Sequence, residues 1–368
     1  MKTSADVAVV GGGVIGLALA RELSSRGADV VVVERGRTGE EASSAAAGLL
    51  SAQSDAESPS PFFELARRSR DLYPDWSSAL REETGIDVGW RRTGVLRCGT
   101  LESLERFAWQ LDAGLPLERL QPPEIARRSA GRAARELSHG LFFPEDAAVD
   151  NRQLVRALRS SLDRRAVAVL EGVPVTRFLL EAGGCRGVET PAGPIRADRV
   201  VDSAGAWANF DAMLPFGIPV EPVRGQIVEL TDEQPFPTVL ASDDVYLVPR
   251  SNGRILVGAT VERVGFRKEV TAAGVARLLA AALALAPTLE RARMSDAWSG
   301  LRPGTPDGLP LLGESPVSGL FLAAGHFRNG VQLAPLTALL LADALAGVAS
   351  EDLSPFSPER FIEAARVG

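Results

Sequence analysis

Three glycines near the N-terminus, Gly11, Gly13 and Gly16, have the spacing G-x-G-x-x-G. They follow an apolar run at residues 6–10 and open a helix-like stretch, and Glu34 ends the next apolar run. In this setting the first glycine makes a tight turn, the second lets a pyrophosphate approach the backbone, and the third lets the helix pack on the strand. Glu34 would accept hydrogen bonds from ribose hydroxyls and disfavours a 2′-phosphate. The pattern predicts a binding site for a dinucleotide other than NADP.

A second candidate is Arg328, which lies between Gly325 and Gly330. It follows a strand-like run at 319–324 and precedes a helix-like run at 331–347, so its charge is either solvated or paired with a negative group. Two small-residue segments, SSAAAGLL (43–50) and VVDSAGAWA (200–208), would let main chain lie against a long cofactor. Taken alone, the first could equally be a packed helix start and the second an ordinary strand–turn–helix junction.

The elements that must position these residues begin with a βαβ unit over the first 35 residues. Alternating apolar patterns from about 219 to 261 indicate an antiparallel sheet, and 270–287 is helix-like. We expect an α/β Rossmann-like dinucleotide-binding domain plus an α+β substrate domain with an antiparallel sheet. The first domain would be discontinuous, with the chain divided as 1–88, 145–218 and 301–368 for the dinucleotide-binding domain, and 89–144 and 219–300 for the substrate domain.

Composition excludes several classes of protein. The chain has 368 residues and a net charge of −7, which argues against nucleic acid as a partner. It has two cysteines and two histidines, without a C-x-x-C pair, so we expect neither a disulfide framework nor a metal site. No signal peptide is expected, and Asp343 interrupts the longest apolar stretch near the C-terminus. These features predict a cytoplasmic protein with no membrane partner.

The motifs GGGVIG, SSAAAGLLSAQ, VVDSAGAW, VYLVPR, SGLRPGTPDGLPLLG and AAGHFRNGVQLAP together resemble the glycine oxidase branch of the D-amino-acid oxidase family. The similarity runs from about residue 5 to 347, and the last three motifs are its specific part. It implies non-covalent FAD, since relatives that bond flavin covalently use a cysteine near the C-terminus and this chain has none. It also implies oxidative deamination of glycine, sarcosine or D-alanine to the 2-oxo acid, ammonia and H₂O₂, with O₂ as acceptor.

That chemistry moves a hydride from the substrate Cα to flavin N5, so the substrate carboxylate must be held firmly. Arg302, at the end of a strand-like run, offers two parallel N–H donors for this purpose, and the resemblance implies the same role. Without the resemblance, pairing with a structural carboxylate such as Asp307 would be the simpler interpretation. The resemblance also implies a hydrogen bond from Tyr246 to the carboxylate, and it places Arg328 near substrate and flavin. Tyr246 is expected in mid-strand, on the face shared with Val248.

The helix that begins near Gly330 is expected to aim its N-terminus at the flavin, where its N–H groups stabilise the reduced ring. Leu49, Leu50 and Val261 are candidates to cap the substrate pocket, and a catalytic His326 is a minor alternative. The resemblance implies cofactor contacts from these residues: Gly11, Gly13, Val14, Ile15, Gly16, Glu34, Arg35, Ser43, Ser44, Ala47, Gly48, Leu49, Val173, Ser203, Gly205, Trp207, His326, Arg328, Asn329, Gly330, Val331 and Gln332.

Two alternatives remain open at this point. The first is a dehydrogenase of the same fold that passes electrons to an acceptor other than oxygen. The second is a flavin-binding protein without catalysis, in which Arg302 is structural. The family further suggests a homotetramer and a role in making the thiazole of thiamine.

Overall fold

The structure is a computed structural model that describes residues 2–234, 236–348 and 351–361. Its first nine strands, β1 to β9, are Ser4–Val10, Val30–Val33, Leu49–Leu50, Val95–Gly99, Glu118–Leu120, His139–Phe143, Ala147–Ala148, Ala168–Leu170 and Arg177–Glu181. Strands β10 to β18 are Gly184–Thr190, Gly193–Asp202, Glu221–Thr231, Val239–Ala241, Tyr246–Pro249, Arg254–Gly258, Arg293–Gly304, Leu311–Glu314 and Leu320–Ala324. Helices α1 to α9 are Val14–Ser25, Ala42–Ala45, Pro61–Thr84, Leu101–Glu105, Trp109–Asp112, Pro122–Arg128, Asn151–Arg164, Ala272–Leu285 and Gly330–Leu345.

The first large sheet has the order β17-β18-β11-β1-β2-β8, with β10 and β9 added beside β11. Its centre, from β18 to β8, is parallel, and β17 is antiparallel at the edge. Apolar side chains of α1, α3, α7 and α9 form the core on one face. The predicted βαβ start is confirmed, because β1, α1 and β2 are adjacent and β1 pairs in parallel with β2.

The second large sheet has the order β16-β12-β15-β14-β13-β4-β6-β5 and is antiparallel except for the β13–β4 pair. Helix α8 packs on the face that carries Val228, Leu247 and Val257. The other face carries Ile227, Val248 and part-buried Tyr246. The predicted alternation at Tyr246 is therefore confirmed, although the residue begins β14 and does not lie in mid-strand.

The predicted division into domains stays a prediction. Strand β16 continues in the antiparallel sheet to Gly304, beyond the expected division at 300/301. Residues 1, 235, 349–350 and 362–368, which that division also assigns, lie outside the described residues. Within the described residues, no helix is both long enough and apolar enough to cross a membrane, and no cluster of His, Cys, Asp or Glu could hold a metal ion.

Helix α9 contains Pro335, which has no N–H to donate to the carbonyl of Val331 four residues earlier. The hydroxyl of Tyr73 in α3 donates to that carbonyl instead. One residue further on, the Ser69 hydroxyl donates to the carbonyl of Gln332 at 2.7 Å. Helix α3 thus replaces the hydrogen bond that Pro335 cannot make and adds a second one to the first turns of α9.

Candidate active site at the junction of the two sheets

A single cavity lies between the start of α1, the start of α9 and the antiparallel sheet. It collects most of the residues singled out from the sequence, although they come from six separate segments of the chain. Those that line it are Gly13, Val14, Ile15, Ser43, Ala47, Gly48, Leu49, Ser203, Gly205, Tyr246, Arg302, His326, Arg328, Asn329, Gly330 and Val331. Of the suggested caps, Leu49 and Val261 line the cavity, whereas Leu50 is fully buried in the core.

The glycine turn after β1 is tightly fitted. Gly11 has a φ of +103°, and a Cβ there would lie 2.5 Å from the carbonyl oxygen of Ser203. A Cβ at Gly16 would lie 2.1 Å from the carbonyl oxygen of Gly11. These two glycines therefore do not line the cavity; they let β1, α1 and the segment after β11 approach closely enough to form its wall.

Glu34 lies just outside the cavity, at the end of β2. Its carboxylate accepts hydrogen bonds from the backbone N–H of Gly12 at 2.6 Å and of Gly36 at 2.8 Å. The backbone N–H of Val173 donates to the Glu34 carbonyl at 2.9 Å. The carboxylate is thus fixed beside the glycine turn.

Four further residues that were predicted to contact the cofactor do not line the cavity: Arg35, Ser44, Trp207 and Gln332. The guanidinium of Arg35 stacks 3.6 Å from the ring centre of Trp207 and pairs with Glu41. The carbonyl of Ser44 accepts a hydrogen bond from Asn151 at 3.1 Å. Gln332 is buried, and its Oε1 has no hydrogen-bond partner among the described residues.

Arg302 faces the cavity from the end of β16. Its Nη1 donates to the carbonyl oxygen of Thr260 at 2.9 Å, and its contact with the carbonyl of Arg224 is 3.5 Å. No carboxylate in the described part of the chain pairs with it, and Asp307 pairs instead with Arg360 at 2.8 Å. Burial lowers the pKa of Arg302, and the nearby charge of Arg328 acts in the same direction. The cavity therefore holds a guanidinium that forms no ion pair with any carboxylate of the described residues.

Tyr246 lies beside Arg302. Burial raises the pKa of its phenol, and the positive charges of Arg302 and Arg328 oppose that rise. Two glycines that sequence reasoning missed make room for this pair. A Cβ at Gly225 would lie 2.2 Å from the Arg302 guanidinium, and a Cβ at Gly258 would lie 2.5 Å from the Tyr246 ring. Neither stands in a glycine motif, so no signal in the sequence could have identified them.

The segment before α9 gives the cavity its other polar wall. Helix α9 begins at Gly330 with no side chain capping it, so its first N–H groups are free for a ligand. Phe327 has a φ of +47°, an uncommon conformation for a non-glycine residue. The His326 ring is buried with Nε2 3.3 Å from Thr337 Oγ1, and burial lowers its pKa to about 3. It is therefore neutral near pH 7.

Other lining residues also escaped the sequence analysis. Ser51, Ser54 and Asp55 follow β3, Arg97 lies on β4, and Asp243 and Asp244 precede β14. They are polar residues of ordinary spacing, and only the fold brings them together.

The arrangement fits FAD. The N-cap residue of α1, Gly13, lies in the cavity wall and has no side chain to cap the helix. The Val14 N–H donates to the Ser43 hydroxyl at 2.9 Å, and the next N–H groups of the first turn are left as main-chain donors for a pyrophosphate. The uncapped start of α9 provides donors at a second position along the same cavity, as a ring that gains negative charge requires.

Comparison with known proteins agrees with this geometry. The profile of the DAO family, described as FAD dependent oxidoreductase, matches residues 6–344. A glycine oxidase of Geobacillus kaustophilus is 39% identical over 367 residues, which cover 97% of each chain. A bifunctional protein ThiO/ThiG of Nostoc is 38% identical over 95% of this chain, which spans 54% of that longer protein.

The fold comparison gives the same result. A crystal structure of glycine oxidase from Geobacillus kaustophilus superposes with a TM-score of 0.93 at 38% identity, covering 97% of this chain and 98% of the other. The sequence-based expectations of an FAD-binding Rossmann-like domain and an antiparallel substrate sheet are thereby confirmed. The chain is a member of the DAO family of FAD-dependent oxidoreductases.

Proposed function

We propose that this protein is an FAD-dependent oxidase of small amino acids, with glycine, sarcosine and D-alanine as candidate substrates. The observation that carries the proposal is Arg302, which lies in the cavity with two backbone carbonyls as partners and no carboxylate among the described residues. Partial burial of a guanidinium without a counter-ion costs free energy unless a ligand supplies the missing negative charge. A substrate carboxylate matches its planar, two-pronged donor geometry.

The neighbouring groups support the same ligand. Tyr246 can donate its hydroxyl to the carboxylate that Arg302 binds, and Arg328 adds a second positive charge at the cavity wall. Leu49, Ile227 and Val261 supply an apolar surface that favours a small side chain and displaces water. In this proposal Arg302, Tyr246 and Arg328 hold and orient the substrate so that its Cα–H bond faces the cofactor.

The FAD would be held along the wall formed by Gly13, Ser43, Gly48, Ser203 and the 326–331 segment. When bound, FAD supplies the acceptor for the hydride leaving the substrate Cα and passes the electrons to O₂, giving H₂O₂. The free N–H groups at the start of α9 stabilise negative charge at that end of the cavity. His326 contributes its backbone, because its ring is turned to Thr337 and stays neutral.

The remaining steps need no further group from the chain. The imino acid that leaves the site hydrolyses in water to the 2-oxo acid and ammonia. Non-covalent FAD is part of the proposal, since Cys98 and Cys185 are both buried and neither lines the cavity. The ThiO/ThiG relative supports a role in supplying thiamine synthesis, and assembly as a homotetramer remains an expectation from the family.

The test measures O₂ consumption and H₂O₂ release by the purified yellow protein with glycine, sarcosine, D-alanine, D-proline and L-alanine. We expect turnover of the small substrates and a fall in kcat/KM of about a thousandfold in Arg302→Ala, with FAD retained. Arg302→Lys should restore part of the loss, because it keeps the charge without the two-pronged geometry.

Arg177→Ala is the control, an exposed arginine that does not line the cavity. Substrate oxidation that reduces a dye without consuming O₂ would indicate the dehydrogenase alternative. Unchanged kinetics in Arg302→Ala would show that Arg302 is structural.

A further inference from the structure

A cluster of buried polar side chains lies behind one wall of the cavity and has no part in the site described so far. Its members are Gln53, Arg70, Gln110 and Asp146, each at most 6% exposed. They come from the 51–56 loop, helix α3, helix α5 and the turn after β6. Polar groups at this depth are costly unless their hydrogen bonds are satisfied.

The Asp146 carboxylate is the centre of the cluster. One oxygen accepts the backbone N–H of Gln53 at 3.1 Å, and the other accepts that of Ser54 at 2.8 Å. Arg70 Nη1 donates to Asp146 Oδ1 and to Gln53 Oε1, both at 3.0 Å. Two consecutive N–H groups of the loop are thus bound to one buried anion.

Gln110 binds the same loop from the other side. Its Nε2 donates to the carbonyl of Gln53 at 2.9 Å and to that of Ala56 at 3.1 Å. The backbone of the 51–56 loop is therefore held by Asp146 and Gln110, which are 93 and 57 residues away from Gln53 in sequence, and Arg70 holds the Gln53 side chain. Such a network fixes the position of a loop that has no regular secondary structure.

The opposite face of this loop lines the cavity through Ser51, Ser54 and Asp55. The Asp55 carboxylate accepts a hydrogen bond from the Ser51 hydroxyl at 2.9 Å and forms no ion pair with any described residue. Asp55 lines the same cavity as Tyr246 and Arg302. Burial raises the pKa of the Tyr246 phenol, and the negative charge of Asp55 adds to that rise. The cavity wall thus carries positive charge at Arg302 and Arg328 and negative charge at Asp55, Asp243 and Asp244. Asp243 is paired with Arg97 and Arg106, whereas Asp55 is the carboxylate whose charge acts on Tyr246.

We propose that Arg70 and Asp146 are positioning residues for substrate recognition: they hold the 51–56 loop so that Asp55 faces the amino group of the substrate, opposite Arg302. This inference rests on the proposed function and names the group that recognises the amine. A buried ion pair gives little net stability compared with apolar residues of the same volume. The role we assign to this ion pair is to fix the position of the 51–56 loop, since both of its members bind that loop.

The experiment uses the holoprotein and compares two ligands that differ only in the amine. Glycine carries both the carboxylate and the amino group, whereas acetate carries the carboxylate alone. In Asp55→Asn and in Asp146→Asn we expect the KM for glycine to rise about tenfold, a change of about 1.4 kcal/mol. The Ki of acetate and kcat should change by less than about twofold, and Arg70→Lys should lie between wild type and Asp146→Asn.

Asp232→Asn is the matched control, because Asp232 also forms an ion pair with a buried arginine, Arg132, but does not line the cavity. Its melting temperature should fall while the ratio of glycine KM to acetate Ki stays at the wild-type value. A ratio in Asp146→Asn equal to that in Asp232→Asn would overturn the proposal, as would an equal rise of KM and Ki.

The two proposals fail in different ways. If the wild-type protein oxidises no amine, the proposed function is wrong. In that case the Kd values of glycine and acetate can be measured by titrating the flavin absorbance, and their ratio replaces the ratio of KM to Ki. If Asp55→Asn leaves this Kd ratio unchanged, the positioning role is overturned.

Discussion

The two sides of the cavity recognise their ligands by different means. The side built on the parallel sheet presents main chain, at Gly13, at Ser203 and at the start of α9. The side built on the antiparallel sheet presents charged and polar side chains, chiefly Arg302 and Tyr246. Backbone donors suit a cofactor whose phosphates and ring are always the same. Side chains suit a substrate whose charges must be matched one by one.

Glycine serves both sides, but for opposite reasons. At Gly11 the missing side chain lets two main-chain segments meet. At Gly225 and Gly258 it lets the side chains of Arg302 and Tyr246 occupy the space above a strand. Adding one methyl group on either side should therefore separate cofactor binding from substrate binding.

The largest effect is expected from Gly11→Ala. The new Cβ would lie 2.5 Å from the Ser203 carbonyl oxygen, and the residue has a φ of +103°, so the turn must open. We expect the purified variant to lose most of its FAD and to melt at a lower temperature. The checks are the ratio of flavin to protein absorbance and a thermal melt.

Gly27→Ala is the control for backbone strain alone. Its φ is +87°, but no atom of the described residues lies within 4 Å of the added Cβ. It should cost about 1 kcal/mol and keep its FAD. Equal flavin content in the two variants would contradict the assigned role of the close approach at Gly11.

A smaller and different effect is expected on the substrate side. In Gly225→Ala the added Cβ would lie 2.2 Å from the Arg302 guanidinium, which must move. We expect the KM for glycine to rise roughly ten- to a hundredfold with FAD content unchanged, since a displaced clamp loses charge-assisted hydrogen bonds. Steady-state kinetics and the flavin spectrum measure both quantities.

Gly217→Ala, where the added Cβ meets no atom within 4 Å, is the matched control. It should leave KM unaltered. Loss of FAD in Gly225→Ala would show that the two sides of the cavity are not separable in this way.

The same contrast explains what could be predicted from sequence. The cofactor side was predictable because Gly11, Gly13 and Gly16 are close in sequence and follow the local rules of a strand–turn–helix. Arg302 could be singled out only through the family resemblance. Asp55 and Gly225 could not be found at all, because their importance depends on contacts across the fold. The expectation that Tyr246 lies in mid-strand was wrong, because β14 begins at Tyr246, where its pairing with β13 and β15 starts.

A buried carboxylate at the end of β11, in the parallel sheet, should make the stability of the protein depend on pH. Asp202 ends β11 fully buried; its Oδ1 accepts the Ala204 N–H at 2.9 Å, and its Oδ2 has no partner among the described residues. Burial raises its pKa to about 7. The folded state therefore holds a proton that the unfolded state releases at lower pH, so the free energy of unfolding falls as the pH rises from about 4 to 7.

Asp202→Asn should remove this contribution while keeping the acceptor for Ala204. Above pH 7 we expect the variant to be more stable than wild type by roughly 1–4 kcal/mol, with the difference shrinking towards pH 4. Chemical denaturation across that range measures it. A difference that does not vary with pH would show that Asp202 does not titrate there.

The smallest effect is expected at His326, on the boundary between the two sides. Its pKa is lowered to about 3 by burial, so its charge does not change between pH 6 and 8. We expect His326→Gln, which can still reach Thr337, to keep the wild-type pH profile of kcat/KM in that range. Loss of an ionisation from the profile would instead make His326 the catalytic base.

Pro335 makes the ligand-facing end of α9 dependent on another part of the chain. Tyr73 supplies the hydrogen bond to the Val331 carbonyl that Pro335 cannot make, and Ser69 adds one to the Gln332 carbonyl. The first turns of α9 are therefore complete only after α3 has docked. The donors that face the cavity should therefore order late in folding, once segments about 260 residues apart have met. The chain therefore cannot form a complete pocket for an electron-accepting cofactor before the contacts between α3 and α9 are made.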